Sequence, residues 1–339
     1  MKAAIFAYSR NGMKTAGRLV QLLKGNECDL FAPKRIADAP FKPIPTASKI
    51  FYGDQFSRAD AMIFVGACGI AVRSIAPHLK SKLIDPAVIC IDEQGQYVIP
   101  ILSGHIGGAN ELAKQLASDL AAQAVITTAT DINGKFSVDT WAAANGFIID
   151  NMQRAKEISA AILEQDAALS AMLPVASKLP QGLILKESGP AGIFIGWEKR
   201  KPFEVTLNLI PQNLCLGIGC RKGTSAGSIR QAVSSVLDQY NIDQRSIKLA
   251  ASIDLKAREP GLLEFCRMMN IPLRCYSARE LLSAEGPFSH SDFVQTVTGV
   301  DNVCERAAMM TSDRLIVPKT IFEGVTVAIG AEIKEVHFE

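Results

Sequence analysis

The sequence has few aromatic residues, a net charge close to zero and no long apolar run. Aromatic side chains make up 6% of its 339 residues and the formal net charge is +2, so neither a base-stacking surface nor electrostatic attraction to nucleic acid or membranes is expected. The longest apolar run, residues 61–72, is too short to span a bilayer. The N-terminus leads directly into a strand-like run and leaves no room for a signal peptide. These features predict a cytoplasmic protein.

The sequence also lacks the cysteine spacing of a disulfide framework or a zinc site. Its eight cysteines include no Cys-x-x-Cys pair and none with a histidine at ligand spacing. Most of them lie in apolar runs, such as residues 88–91, where a reduced thiol packs as a small hydrophobic side chain. No protein-bound metal is therefore expected.

What the sequence does contain is an alternation of strand-like and helix-like segments. Residues 1–134 and 213–339 both show it, which is typical of open, mainly parallel three-layer α/β domains. The four prolines between 33 and 48 predict a loop there, and residues 92–95 predict a hairpin turn between two strands. Residues 135–212 contain short strand-like pieces separated by glycines, which predicts a smaller, strand-rich α+β region that joins the two domains.

The most informative motif is Ser-Gly-His-Ile-Gly-Gly-Ala-Asn, residues 103–110, between a predicted strand and a predicted helix. Its glycines allow close approach of a ligand, and free N–H groups at a helix start favour an anion. His105 is the side chain best suited to proton transfer near neutral pH. The motif predicts binding of an anionic small molecule through Ser103, Gly104, Gly107, Gly108 and Asn110.

Within this motif, His105 is the predicted general base, and Glu111 in the following helix is the second catalytic candidate. The helix start is expected to lower the pKa of His105 and so keep its ring neutral. The N–H groups of residues 107–110 are the predicted donors to developing negative charge.

A second glycine-rich loop, Gly-Ile-Gly-Cys-Arg-Lys-Gly at residues 217–223, does not match known nucleotide-binding patterns. Its glycine spacing is one residue off the dinucleotide fingerprint, and Asp254 lies too far along the chain to bind a ribose. As a phosphate-binding loop it fails because Lys222 precedes Gly223. No nucleotide cofactor is expected.

The same loop is instead predicted to bind a carboxylate-rich ligand at a helix start. A solvated tight turn is the structural alternative, and for Cys220 the alternatives are a reactive thiolate and a packed thiol. The predicted binding residues of this loop are Gly217, Gly219, Cys220, Arg221, Lys222 and Thr224.

Two further strand-to-helix junctions carry polar residues. One supplies Cys68, Gly69 and Arg73, and the other supplies Asp254, Lys256 and Glu259. Ligands of open α/β sheets bind outside the carboxyl ends of strands, so all of these loops are predicted to form one cleft.

Taken together, these motifs resemble the CbiG family, the cobalt-precorrin 5A hydrolases of anaerobic cobalamin (vitamin B12) biosynthesis. The resemblance rests on the segment 103–113, on Asp-Pro-Ala-Val at 85–88 with Asp92 and Glu93, and on the loop 217–223. It covers essentially the whole chain.

The resemblance implies opening of the ring A δ-lactone of cobalt-precorrin 5A. The C20 two-carbon unit leaves as acetaldehyde and cobalt-precorrin 5B is formed. The cobalt arrives with the corrin substrate, so no separate cofactor is implied. The substrate's acetate and propionate groups would explain the several predicted anion sites. A homodimer and transient contacts with neighbouring cobalamin-pathway enzymes are further expectations.

Two alternatives remain open from the sequence. A non-catalytic carrier of corrin-pathway intermediates would use the same glycine loops, and only turnover distinguishes it from an enzyme. An NAD(P)-linked oxidoreductase is less compatible with the loop spacing, and bound nicotinamide would reveal it.

Overall fold

The computed structural model describes residues 1–81, 84–105 and 107–338, and the chain divides into two compact units, Met1–Thr140 and Trp141–Glu339. Over its described residues, the first unit contains a seven-stranded sheet with the order β3-β2-β1-β4-β5-β6-β7. The strands are β1 (Lys2–Ala7), β2 (Glu27–Pro33), β3 (Lys42–Ile44), β4 (Ala61–Val65), β5 (Ala87–Ile91), β6 (Tyr97–Leu102) and β7 (Gln123–Ala124). The helices are α1 (Arg10–Leu22), α2 (Ser48–Arg58), α3 (Cys68–Ile75), α4 (Ala109–Leu120), α5 (Ala129–Ile132) and α6 (Val138–Ala144), which crosses the boundary between the units.

Helices cover both faces of this sheet. Every residue of β4 and β5 is buried, which explains why these strands are continuous apolar runs without alternation. Apolar side chains of α1 and α4 form one core with the sheet, and those of α2 and α3 form the other.

Strand direction determines where the loops of the first unit lie. Strands β1, β2, β4 and β5 run parallel, whereas β6 is antiparallel to β5 and pairs Leu102 with Val88. The carboxyl end of β6 therefore lies beside the amino end of β5. The strand order reverses between β1 and β4, so the carboxyl ends of these two strands form a topological switch point.

The second unit contains two five-stranded sheets within its described residues. The first has the order β10-β9-β11-β12-β8, with α7 (Met152–Glu164) packed on it. Only β8 in this sheet pairs antiparallel, with β12. The strands are β8 (Phe147–Ile149), β9 (Ala167–Ala171), β10 (Leu183–Leu185), β11 (Gly189–Ile195) and β12 (Phe203–Pro211).

The other sheet of the second unit has the order β15-β14-β13-β17-β16, in which β13, β14 and β15 are parallel. The strands are β13 (Leu214–Cys220), β14 (Ile247–Ile253), β15 (Leu273–Tyr276), β16 (Arg314–Phe322) and β17 (Val325–Ala331). The helices are α8 (Ala226–Gln239), α9 (Pro260–Met269), α10 (Ala278–Leu282), α11 (Asp292–Thr298) and α12 (Val303–Met309). Short 3-10 turns lie at Ala76–His78, Gln244–Ser246 and Asp254–Lys256.

The predicted α/β class with mostly parallel sheets is confirmed, and so is the hairpin between β5 and β6. The loop predicted for residues 33–48 is wrong in part, because β3 lies within it. This strand is at the sheet edge, where Pro43 removes no ladder hydrogen bond that a central strand would need. The division into three domains stays a prediction. None of the helices in the described part of the chain is long and apolar enough to cross a membrane.

Candidate active site

His105 lies in the loop between β6 and α4, and both of its ring nitrogens face carboxylates. Nε2 is 3.1 Å from Asp131 Oδ2, and Nδ1 is 3.4 Å from Asp139 Oδ1. Ser137 Oγ is 3.3 Å from Nδ1 and 3.0 Å from Asp139 Oδ1. The two acidic residues belong to α5 and α6, so the chain after α4 returns to enclose the histidine.

These carboxylates control the protonation of His105. The hydrogen bond with Asp139 is the largest cause, Asp131 acts in the same direction, and partial burial opposes both, so the pKa of His105 is raised above its usual value. The predicted lowering of this pKa by the helix start is therefore wrong. Two nearby negative charges outweigh the partial positive charge at the start of α4.

Asp131 is held by donors from three sides. Asn110 Nδ2 lies 3.0 Å from Asp131 Oδ2, and Lys114 Nζ lies 3.1 Å from Oδ1. Burial alone would raise the pKa of Asp131, but the hydrogen bonds from His105 and Lys114 outweigh it and lower the pKa. Asp131 is therefore an ionised, immobilised partner for the imidazole.

The glycines of the motif make the loop compact. A Cβ at Gly107 would lie 2.4 Å from Ser103 Cβ, and a Cβ at Gly104 would lie 2.7 Å from Asn110 Oδ1. Ser103 has a positive φ of 57°, and its hydroxyl donates to the carbonyl of Asp85. Ile106 of the motif is outside the described residues. Packing within the loop therefore requires glycine at 104 and 107 even without a ligand.

The predicted N–H donors at the start of α4 are mostly engaged within the loop itself. The amides of Gly108, Ala109 and Asn110 donate to the carbonyls of residues 105, 103 and 104 at 2.8, 3.1 and 2.9 Å. An anion-binding site made of these three amides is therefore not present, contrary to the prediction. The Asn110 side chain instead binds Asp131 and the hydroxyl of Thr128.

Glu111, the second catalytic candidate, is exposed on the first turn of α4. Its Oε1 accepts a hydrogen bond of 2.7 Å from Lys114, which also contacts Asp131. Within the described residues, Glu111 is thus linked to the His105 cluster through Lys114, and its catalytic role stays a prediction.

The structure does not bring Cys68, Gly69 and Arg73 to the His105 loop. These residues follow the carboxyl end of β4. Ser103 to Asn110 follow β6, and because β6 is antiparallel to β5, its carboxyl end lies at the opposite end of the strands. The two loops are therefore separated by about the length of β5, whose five residues span roughly 17 Å. The prediction of a single cleft for both loops is therefore wrong, because it placed the loop after β6 with the loops at the carboxyl end of β4 although β6 runs antiparallel to β5.

In the second unit, Gly217 and Gly219 have packing roles. A Cβ at Gly217 would lie 1.8 Å from the carbonyl oxygen of Cys304 in α12, and a Cβ at Gly219 would lie 2.4 Å from Thr326 Oγ1. Gly217 is buried. Burial raises the pKa of the Cys220 thiol, which favours the packed thiol over the reactive thiolate.

The anion-binding position predicted in the 217–223 loop is occupied by a carboxylate of the protein. Glu259 Oε1 accepts a 2.7 Å hydrogen bond from the amide of Gly223, and its Oε2 accepts one of 2.9 Å from Lys256 Nζ. These two bonds lower the pKa of Glu259. Lys256 and Glu259 therefore neutralise each other, while Arg221 and Lys222 remain exposed cations of the loop.

Of the other predicted residues in this region, Thr224 donates its hydroxyl to the carbonyl of Arg221 at 2.9 Å, which stabilises the turn. Asp254 begins the 3-10 turn after β14. Binding roles for both stay predictions.

Three residues of the His105 cluster were not anticipated: Asp131, Ser137 and Asp139. They lie 26 to 34 positions after His105 in sequence, in or beside short helices. The only available signal was an acidic residue, Asp131, soon after the strand-like run that ends at residue 128. No spacing rule connects it with His105.

Comparison with known proteins decides the family. Models of the cobalamin synthesis G family match twice, the N-terminal model at residues 51–131 and the C-terminal model at residues 214–330. The chain is 32% identical to the cobalt-precorrin-5A hydrolase of Salmonella typhimurium strain LT2, over 96% of this chain and 97% of that protein. The chain belongs to the cobalt-precorrin-5A hydrolase family.

Other members and a partial relative agree with this. The cobalt-precorrin-5A hydrolase of Priestia megaterium is 29% identical over 96% of this chain and 94% of that protein. Protein CobE of a Sinorhizobium species is 29% identical over 34% of this chain and 79% of its own length. The N-terminal family match includes both His105 and Asp131.

Proposed function

We propose that this protein is a cobalt-precorrin-5A hydrolase. It opens the ring A δ-lactone of its substrate and releases the C20 two-carbon unit as acetaldehyde, which gives cobalt-precorrin 5B. The observation that carries the proposal is the 32% identity to a hydrolase of that name over 96% of the chain. The position of His105 between Asp131 and Asp139 supports it, because lactone opening by water requires proton transfer.

In the proposed mechanism, His105 reacts in its neutral form. Nε2–H donates to ionised Asp131, and Nδ1, which faces the Ser137 hydroxyl and Asp139, is the proton acceptor; once protonated, Nδ1 donates to Asp139. The attacking water gives a proton to Nδ1 as its oxygen bonds to the lactone carbonyl carbon. The imidazolium then returns that proton to the ring oxygen as the acyl C–O bond breaks. In a later step the hydroxyl so formed loses its proton and becomes the carbonyl of acetaldehyde as the carbon–carbon bond to the macrocycle breaks, and the electron pair of that bond stays with the macrocycle, which takes up a proton. Asp131 and Asp139 stabilise the transient imidazolium.

The proposal is tested by incubating the purified, desalted protein with cobalt-precorrin 5A and measuring acetaldehyde. We expect release without added metal, nucleotide or flavin, since the cobalt belongs to the substrate. A reaction lacking protein gives the background rate. Activity that is lost on desalting and returns only with NAD(P) or a divalent ion would contradict the proposal. Stoichiometric corrinoid binding without acetaldehyde would favour the carrier alternative.

The exposed cations of the 217–223 loop, Arg221 and Lys222, are proposed to bind substrate carboxylates. Arg221→Ala is expected to raise KM by about two- to five-fold, since a contact of this kind contributes about 0.3–1 kcal/mol. The kcat should stay within a few-fold, and binding should become less sensitive to salt. Arg230→Ala, at an exposed position in α8, is the matched control. A large fall in kcat at unchanged KM would instead place Arg221 at the reacting centre.

The proposal includes a cytoplasmic location. All eight cysteines are free thiols, as is usual for proteins in a reducing compartment. A homodimer and transient contacts with neighbouring pathway enzymes are also proposed, and sedimentation of the purified protein tests the former.

A further inference from the structure

A cavity of about 300 Å³ lies between α2 and α3 in the first unit. Lys49 and Arg73 contribute cationic groups to its lining, and Ser48 and Tyr52 contribute hydroxyls, whereas the Ser74 hydroxyl donates to the carbonyl of Ile70. Among the described residues, no acidic side chain lines it. Both charged groups of the lining are therefore suited to hold an anion.

The two cations of this cavity are not neutralised by the protein. Within the described part of the chain, neither Lys49 nor Arg73 forms an ion pair, whereas Arg58 at the other end of α2 is paired with Asp54 at 3.0 Å. The Arg73 guanidinium lies over Gly69, where a Cβ would be 3.4 Å from one of its terminal nitrogens. Two uncompensated cations facing one cavity favour an anionic ligand.

The position of the cavity in the fold supports a binding role. Tyr8, the first residue after β1, contacts the lining through a 2.8 Å hydrogen bond between its hydroxyl and that of Tyr52. Helix α3 starts beyond the carboxyl end of β4. The cavity is therefore next to the topological switch point between β1 and β4, which is where open α/β sheets bind their ligands. Helix α2 also begins at Ser48 without a side-chain cap, so the positive end of its dipole is available.

We propose that the cavity between Lys49 and Arg73 is a carboxylate-binding site, separate from the His105 cluster. Its volume is at the lower end for ligand pockets, so it accommodates a short organic acid or one acetate or propionate arm of a tetrapyrrole, but not the macrocycle. The choice of carboxylate over phosphate rests on the proposed function, because the corrin substrate carries carboxylates. His105 lies at the opposite end of the strands from this cavity, so the cavity is a second site and not part of the His105 cluster.

Direct binding measurements test the site without any turnover. Calorimetry with glutarate, with uroporphyrin and with inorganic phosphate should show that the two carboxylates bind the wild-type protein more tightly than phosphate does. The double variant Lys49→Gln and Arg73→Gln should weaken carboxylate binding by about tenfold or more, since it removes charge-assisted contacts. Arg58→Gln should leave it unchanged. Circular dichroism checks that each variant is folded.

Three results would overturn the proposal: no carboxylate binding by the wild-type protein, equal binding by the double variant, or tighter binding of phosphate. The source of the carboxylate follows from KM for cobalt-precorrin 5A in the same variants. A KM that rises in parallel with the dissociation constant of glutarate identifies an arm of the substrate, and an unchanged KM identifies a free acid. Glutarate binding without acetaldehyde release would refute the proposed function and leave the site in place.

Discussion

Replacing His105 with asparagine is expected to lower kcat by about 10²–10⁴-fold, the usual contribution of a general base. Asparagine keeps a hydrogen-bonding group beside Asp131 but cannot accept the proton from water. The substrate should still bind, because the carboxylate contacts proposed for it do not involve His105. The measurements are acetaldehyde release under saturating substrate and corrinoid binding followed by absorbance.

The pH dependence of the rate identifies the ionising group. Because Asp139 and Asp131 raise the pKa of His105, the imidazole loses its proton at a higher pH than an ordinary histidine does. A base must be neutral, so the rate should rise with pH through this raised pKa and fall on its acid side. Asp139→Asn removes the largest cause of the increase and should move the acid limb to lower pH.

The outcome that contradicts this assignment is equally definite. If His105→Asn keeps most of the wild-type rate, the base lies elsewhere, and Glu111, followed by Asp254, becomes the next candidate. If the variant is slow but retains the acid limb, the ionisation belongs to a different group. Serine at 137 offers a further check, because Ser137→Ala should reduce the rate less than His105→Asn if water is the nucleophile.

Much of the fold could be predicted because local pattern and tertiary environment agree. β4 and β5 are continuous apolar runs since both of their faces are covered. Helix α7 likewise begins where the sequence supplies a capping residue, since the Asn151 side chain accepts hydrogen bonds from the amides of Gln153 and Arg154. In contrast, α2 was missed. Its apolar side chains do not form a clear stripe along one face of the helix, and only Tyr52 and Phe56 are buried.

The candidate site could be predicted only in its local part. The glycines around His105 revealed a functional loop, but Asp131 and Asp139 reach the imidazole through tertiary folding, which no local pattern encodes. The prediction of a single cleft is wrong, although the sequence itself contains the feature that excludes it. The hairpin predicted at residues 92–95 requires β5 and β6 to be antiparallel. The His105 loop therefore lies at the opposite end of the strands from Arg73.

Gly217→Ala is expected to destabilise the second unit strongly, which would distinguish a packing role from a ligand-binding one. The new Cβ would lie 1.8 Å from the carbonyl oxygen of Cys304, and a backbone atom in α12 cannot move away as a side chain can. Overpacking of this kind costs about 3 kcal/mol. For a unit of this size the melting temperature should fall by roughly 6–12 °C. Fluorescence of Trp141 and Trp197, both in the second unit, reports its unfolding.

Two glycines of the same sheet region provide graded controls for this result. Gly219→Ala should cost less, because the atom that its Cβ would meet is Thr326 Oγ1, which can rotate. Gly227→Ala should stabilise the protein by up to about 1 kcal/mol, since this position is in α8 and the nearest atom to the new Cβ would be 3.7 Å away. If Gly217→Ala kept wild-type stability but raised KM, the glycine would serve close approach of the substrate, and the contact between β13 and α12 would have to be looser than the structure shows.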